Sequence, residues 1–207
     1  GKVVAKAAYA SAAQMQTALA AAQSAFEVYR HISRSTRSAL LFAMVDGLRA
    51  RQAEFVQAMV QEAGKPISLA EGEFSRALIT LTASAEEAKR FTGELLAVEH
   101  EPTARAYSSA VVHWVPRGPV LGITPFNFPL NLVLHKVAPA LACGASVLIK
   151  AAPQAPGCAV LLAEVFQAAA KKVSDARDSI PPATLQVVSC DNAVAELAVV
   201  DARMSTV

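Results

Sequence analysis

Charged residues are scarce in this sequence of 207 residues: Asp, Glu, Lys and Arg together contribute 17%, whereas an average soluble domain has about 25%. Hydrophobic residues contribute 54%, which excludes disorder as the general state of the chain, because disordered segments combine low hydrophobicity with high net charge. The net charge is only +2, and the basic residues are scattered. The sequence therefore lacks the clustered basic patch that a nucleic-acid partner requires.

Cysteine is also rare, and the sequence contains no CxxC pair. The cysteines form no ligand cluster with the four histidines, so no metal site is predicted. A sparse, odd number of cysteines is typical of free thiols in a reducing compartment, and we expect a cytoplasmic protein. The three cysteines are Cys143, Cys158 and Cys190.

Uninterrupted apolar segments of membrane-spanning length are missing as well. The uncharged stretch over residues 118–134 contains three prolines and two asparagines, and it is shorter than the ~20 apolar residues of a membrane-spanning helix. Near the amino terminus, Gln14, Gln16 and Gln23 interrupt the apolar run that a signal peptide requires. We therefore predict neither a membrane partner nor a secretion signal.

The first half of the chain has the pattern of amphipathic helices. Apolar residues at helical spacing predict helices over residues 11–29 and 35–63, and Gly64 with Pro66 supplies a stop. Ser68 and Glu71 resemble a capping box for a third helix that ends near residue 93. We interpret residues 1–94 as a helical segment that packs on a second unit.

The pattern changes near residue 95. Alternation over residues 105–115 predicts a strand with one exposed face, and we assign residues 95–117 to a separate strand segment. Residues 118–207 then alternate between short β-rich runs and helices, with strands expected at 120–123, 146–150, 185–188 and 204–207. This alternation predicts an α/β fold with an open, doubly wound parallel sheet of the Rossmann-like type, which is incomplete in this chain.

The most informative segment covers residues 122–129, with the sequence GITPFNFP. It follows the first parallel strand at its carboxyl end, where open α/β sheets bind ligands. Pro125 and Pro129 stiffen the loop around Asn127. Two interpretations are open: the Asn127 amide donates a hydrogen bond to a developing oxyanion, or it only bonds its own loop.

Two lysines have a similar ambiguity. Lys150 ends the second parallel strand, where it either reaches a ribose or phosphate that lies across the sheet or only extends into solvent. Lys136 lies among apolar residues in the following helix and is either a partly buried functional group or a surface lysine. The sequence contains no GxGxxG fingerprint and no Walker loop. Cys143 and Cys190 are most simply packing residues, whereas Cys158 at a helix start is either a packing residue or a thiol made more acidic by the helix dipole.

Together these segments resemble the NAD(P)-dependent aldehyde dehydrogenase family. The resemblance is dense over residues 116–131 (PRGPVLGITPFNFPLN), 135–142 (HKVAPALA) and 146–150 (SVLIK). It extends to residues 61–66 (QEAGKP) and to Glu71 and Arg76, and it covers essentially the whole chain.

The resemblance implies a reaction and a set of site residues. In the family, a cysteine thiolate attacks an aldehyde, hydride passes to the nicotinamide, and a glutamate-activated water releases the acid. Asn127 matches the oxyanion asparagine, and Lys136 matches a lysine on the proton path of the general base. The residues expected at the NAD or NADP site are Ile123, Thr124, Pro125, Phe126, Asn127, Lys150, Ala152 and Pro153. The strand segment resembles one that forms homodimers and homotetramers.

The sequence departs from the family pattern in two places. Ala151, Ala152 and Pro153 follow Lys150, where the family usually has Pro, then Ala or Ser, then a Glu that favours a free 2′-hydroxyl. Because this Glu is missing, we expect that NADP as well as NAD can bind. The resemblance also implies that the glycine loop, the general-base Glu and the nucleophilic Cys lie beyond residue 207. We expect an amino-terminal part of the enzyme that is inactive alone; the alternative is a non-catalytic nucleotide-binding or assembly module on the same scaffold.

Overall fold

The computed structural model describes residue 3 and residues 6–98, 100, 102–104, 106–107 and 109–207. The helices are Ala12–Tyr29 (α1), Arg34–Ala50 (α2), Gln52–Ala63 (α3), Ile67–Arg90 (α4), Asn131–Cys143 (α5), Gly157–Val173 (α6) and Asn192–Val199 (α7). The strands are Glu94–Ala97 (β1), Ser109–Val112 (β2), Val120–Ile123 (β3), Val147–Lys150 (β4) and Leu185–Val188 (β5). Short 3₁₀ helices cover Pro102–Ala104 and Pro182–Thr184.

Three strands form a parallel sheet in the order β3-β4-β5. The helices α5 and α6 connect consecutive strands, as a parallel arrangement requires. The predicted α/β fold with a parallel, Rossmann-like sheet is confirmed. The expected strand over residues 204–207 is reduced to one parallel bridge between Val120 and Thr206.

Helices cover both faces of this sheet. On one face, α2, α4, α5 and α6 share a large hydrophobic cluster with Val147 and Ile149 of β4. On the other face, α1 and α7 pack against Leu121 and Leu148. Val147 and Ile149 lie on one face of β4 and Leu148 on the other because successive side chains of a strand point to opposite faces. Helices of the first half of the chain therefore pack on both faces of the sheet.

Two helix predictions are wrong. The helix expected over residues 35–63 is divided at Arg51, where φ is −115° and ψ is 19°. The Arg51 guanidinium pairs there with Glu54 and with Glu164 of α6. The capping box expected from Ser68 does not form: α4 begins at Ile67 without a side-chain cap, so Ser68 already lies inside its first turn.

The strand expected over residues 105–115 is shorter than predicted. Residues 105 and 108 lie outside the described part of the chain, and β2 covers Ser109–Val112. It pairs antiparallel with β1 and forms a two-stranded sheet separate from the parallel one. Both strands are exposed along almost their whole length, so the prediction of a single exposed face is also wrong.

Candidate active site

The carboxyl ends of the three parallel strands lie in register. Ile123 of β3 pairs with Lys150 of β4, which pairs with Val188 of β5. The chain beyond β3 continues this alignment, because the Thr124 backbone N–H donates to the Lys150 carbonyl at 3.2 Å. The Thr124 hydroxyl donates to the same oxygen at 3.4 Å. The expected site residues from Ile123 to Asn127 and from Lys150 to Pro153 therefore follow neighbouring strands at one edge.

Asn127 lies in the exposed loop that leaves this edge. Its backbone carbonyl accepts a hydrogen bond from Lys65 Nζ at 2.8 Å. Its side-chain amide has no hydrogen-bond partner among the described residues, so the amide is available to a ligand. Pro125 and Phe126 are exposed beside it, whereas Thr124 is buried.

A buried carboxylate fixes the other end of the same loop. Glu73 of α4 accepts hydrogen bonds from the backbone N–H groups of Leu130 and Asn131, both at 2.9 Å. These amides belong to the first turn of α5, which would otherwise leave them unpaired. Glu73 also forms an ion pair with Lys65, so one carboxylate connects the helical half to the site loop.

Lys65 and Glu73 are functional candidates that the sequence interpretation missed, because it treated the first three helices as packing elements only. A signal was present: Glu73 lies on the buried stripe of α4 that also contains Ala70, Phe74 and Ala77. A carboxylate on such a stripe requires a partner, since an unpaired buried charge is very costly.

Lys150 is buried, with 7% of its surface exposed. Its ammonium forms no ion pair with any carboxylate of the described residues, which leaves its charge available to an anionic or hydroxyl-rich ligand. Burial raises the pKa of the neighbouring Cys190 thiol. The positive charge of Lys150 lowers this pKa, but its effect is smaller than that of burial. After Lys150, Ala151 and Ala152 are buried and Pro153 is exposed.

Lys136 lies on α5 against the first strand of the parallel sheet. A Cβ on Gly122 would lie 3.2 Å from the Lys136 side chain and 2.5 Å from Ile149 Cδ1, so glycine permits the close approach of α5 to the strand. Lys136 Nζ donates to the Leu132 carbonyl at 3.4 Å. The Lys136 side chain also lines a cavity of about 410 Å³, and Arg37 is another of its lining residues.

The helices that follow the parallel strands already have carboxylates at their amino-terminal ends. Glu73 fills this position at α5, and Asp191 caps α7. At α6, Glu62 accepts the Gly157 N–H at 2.8 Å. A pyrophosphate commonly binds at such a helix terminus, but these three sites are occupied by the protein's own side chains.

None of the three cysteine thiols is activated. Burial raises the pKa of Cys158, and the carboxylates of Glu73 and Glu62 raise it further. Burial likewise raises the pKa of Cys190 and of Cys143. Because the thiolate is the nucleophile, these environments suppress the reactive form. Cys158 and Cys190 are buried and serve as packing residues, whereas Cys143 is exposed.

The described residues contain neither a metal-binding cluster nor a membrane-spanning helix. No group of three or more His, Cys, Asp or Glu side chains there is arranged to hold a metal ion. No helix in the described part of the chain has the length and apolar character needed to cross a membrane.

Comparison with known proteins gives matches over the full chain. The model described as "Aldehyde dehydrogenase family" matches residues 1–207. The chain is 43% identical to 3-sulfolactaldehyde dehydrogenase of Priestia megaterium over 157 residues, which are 76% of this chain and 31% of that protein. It is 36% identical over 153 residues to succinate semialdehyde dehydrogenase of Acinetobacter baylyi, which covers 74% of this chain and 31% of that protein. The chain thus spans about a third of the length of these relatives.

Solved structures share the fold. Aldehyde dehydrogenase 21 from Physcomitrella patens, in complex with succinate, superposes with a TM-score of 0.88 at 32% identity, and the match covers 98% of this chain and 40% of that one. Glyceraldehyde-3-phosphate dehydrogenase from Methanocaldococcus jannaschii, complexed with NADP, gives a TM-score of 0.84 at 25% identity and covers 98% of this chain and 42% of that one.

Proposed function

The chain belongs to the aldehyde dehydrogenase family, and we propose from this premise that the complete protein oxidises an aldehyde to its carboxylic acid with NAD or NADP. The observation that carries the proposal is the strand edge where Ile123 and Lys150 pair and Asn127 follows. The reaction balances as aldehyde, oxidised dinucleotide and water giving acid, reduced dinucleotide and a proton. Bound NAD or NADP supplies the hydride acceptor.

Asn127 provides the oxyanion donor in this proposal. Addition of a thiolate to the aldehyde carbon places negative charge on the former carbonyl oxygen, and an amide N–H that donates to this oxygen stabilises the charge. The Asn127 side chain has no hydrogen bond to another described residue, so it breaks no bond to those residues when it donates to the oxyanion. Lys136 is proposed to contribute to the proton path of the general base.

The nucleophile is proposed to come from polypeptide outside these residues. Burial raises the pKa of all three thiols in the chain, and a thiol with a raised pKa forms little thiolate at neutral pH. This chain alone is therefore proposed to carry the oxyanion donor and part of the cofactor site without turnover. The relatives, of which it spans about a third, are consistent with a longer enzyme.

The dinucleotide is proposed to lie across the strand edge. The residues present fit such a group, because the buried Lys150 ammonium has no carboxylate partner among the described residues and can donate to a ribose hydroxyl. Loop residues from Ile123 to Phe126 and the segment Ala152–Pro153 are proposed to line the same site. The pyrophosphate is proposed to bind away from the amino-terminal ends of α5 and α6, which Glu73 and Glu62 fill.

Oligomerisation is proposed for the exposed strand pair. Leu95, Leu96 and Val111 of β1 and β2 are all exposed, as are Trp114 and Val115 next to them. Exposed apolar strands with unpaired edges are favourable sites for association between subunits. We propose that residues 95–117 form part of a homodimer or homotetramer interface, in a reducing, cytoplasmic setting that suits the three free thiols.

The choice of dinucleotide provides a test. Pro153 takes the place of the family's Glu, so no carboxylate there opposes a 2′-phosphate. In the complete protein, with 3-sulfolactaldehyde or succinate semialdehyde as first substrates, we expect kcat/KM with NADP to equal or exceed that with NAD. Pro153→Glu is expected to lower kcat/KM for NADP on the order of 10-fold while NAD use persists, because like charges at a binding site are strongly unfavourable.

The neighbouring substitution Gln154→Glu serves as the matched control, since Gln154 is also exposed. Gln154→Glu is expected to leave the ratio of kcat/KM with NADP to kcat/KM with NAD unchanged. Strict use of NAD by the unmodified protein would contradict the expected cofactor range. A failure of the aldehyde to increase the reduction of either dinucleotide would contradict the proposed reaction itself.

A further inference from the structure

The start of α5 has no cap of its own. Leu130 is the residue before the helix, and no side chain of the loop bonds the first-turn amides. Instead, Glu73 Oε1 accepts from both the Leu130 and the Asn131 N–H groups. Glu73 lies 57 residues earlier in the chain than Leu130, so a residue of the helical half determines where the loop ends and α5 begins.

Lys65 holds the middle of the same loop. Its ammonium donates to the Asn127 carbonyl at 2.8 Å, forms the ion pair with Glu73, and lies 4.1 Å from the centre of the Phe128 ring. Only 12% of the side chain is exposed, so water competes weakly for these contacts. Gly64, with φ of 63°, ends α3 and turns the chain so that Lys65 faces the loop.

These contacts set the backbone at Asn127 but leave its side chain unbonded. The backbone position from which the Asn127 side chain extends is therefore set by Lys65 and Glu73, since no side-chain hydrogen bond to another described residue contributes to it. We propose that Lys65 and Glu73 are positioning residues for Asn127, an inference that rests on the proposed oxyanion role of that residue. Together they hold the loop backbone so that the Asn127 side chain extends from the strand edge, within reach of the reacting oxygen.

A role in folding alone would predict that removing Lys65 has the same effect in the presence and in the absence of the Asn127 amide. If Lys65 acts through Asn127, its removal harms catalysis only while the amide is present. If the ion pair merely stabilises the protein, its removal has the same effect in both backgrounds. A double-mutant cycle separates these cases, because it measures the coupling between the two residues.

The cycle consists of the unmodified complete enzyme, Lys65→Met, Asn127→Ala and the double variant. We expect Lys65→Met to lower kcat about 10-fold with little change in KM when Asn127 is present, because small misplacements of a catalytic group cost 10-fold or more. In the Asn127→Ala background, we expect less than about a 2-fold further loss. Equal losses in both backgrounds would overturn the positioning role while leaving the proposed function intact.

The other outcomes are also decisive. An Asn127→Ala enzyme with unchanged kcat would overturn the oxyanion role itself, and with it the inference drawn from that role. Should Lys65→Met fail to fold, the same cycle is run with Glu73→Gln, which retains an acceptor oxygen for the two α5 amides but removes the charge that faces Lys65. Lys65→Arg is expected to restore part of the lost kcat.

A matched control removes a different ion pair. Arg51 bonds Glu54 and Glu164 and makes no contact with the loop among the described residues. Arg51→Met is expected to leave kcat unchanged in both backgrounds. A loss with Arg51→Met equal to that with Lys65→Met would show a general effect of ion-pair removal and would overturn the specific role.

Discussion

Replacing Asn127 with alanine in the complete enzyme is expected to lower kcat about 100-fold with a small change in KM, as removal of one oxyanion donor does elsewhere. The amide is needed when charge develops on the oxygen, so its loss affects the transition state more than substrate binding. Asn127 is exposed and its side chain bonds no other described residue. Its removal is therefore expected to leave the fold intact, and the effect is measured by steady-state kinetics.

Two variants make the Asn127 result specific. Asn127→Asp preserves the shape of the side chain but replaces the donor with an acceptor, so we expect a loss at least as large as that of Asn127→Ala. Asn192→Ala removes another exposed asparagine at the start of α7 and is expected to leave kcat unchanged. An Asn127→Asp enzyme with the kcat of the unmodified protein would contradict the donor role.

The second large effect is expected on stability. Glu73→Ala should lower the free energy of unfolding of this chain by about 3–5 kcal/mol, the usual result of removing one partner of a buried ion pair. The substitution leaves Lys65 without its carboxylate and leaves the Leu130 and Asn131 amides without acceptors. Denaturant unfolding measures the change, and amide hydrogen exchange should increase at Leu130 and Asn131.

An exposed ion pair provides the comparison. Glu54→Ala breaks the contact with Arg51 at the surface, where ion pairs contribute little to stability, so we expect a much smaller change than for Glu73→Ala. Glu73→Gln should fall between the two, since it retains the acceptor for the α5 amides. Equal destabilisation by Glu54→Ala and Glu73→Ala would contradict the anchoring role assigned to Glu73.

Local sequence patterns predict the parallel sheet well. Strand and helix runs alternate along residues 118–207, and Thr124 after β3 and Lys150 at the end of β4 are polar residues that a parallel sheet brings to one edge. Lys150 and the Thr124–Asn127 loop therefore lie together as the order of strands requires. These features depend on short-range spacing, which the sequence displays directly.

Features that depend on distant residues are not visible in local patterns. The bonds from Lys65 to the Asn127 carbonyl and from Glu73 to Leu130 connect residues 62 and 57 positions apart. The break at Arg51 has neither glycine nor proline within it, and it is accompanied by the ion pair with Glu164 of α6. Tertiary contacts override helical spacing in these cases, so only the folded chain reveals them.

The most direct test of the proposed function is the amount of product formed by the complete protein with an aldehyde and NADP or NAD. We predict that reduced dinucleotide and carboxylic acid appear in equal amounts and that this chain alone forms neither. Binding of dinucleotide by the complete protein without formation of acid would contradict the aldehyde dehydrogenase reaction and would favour a non-catalytic module on the same scaffold.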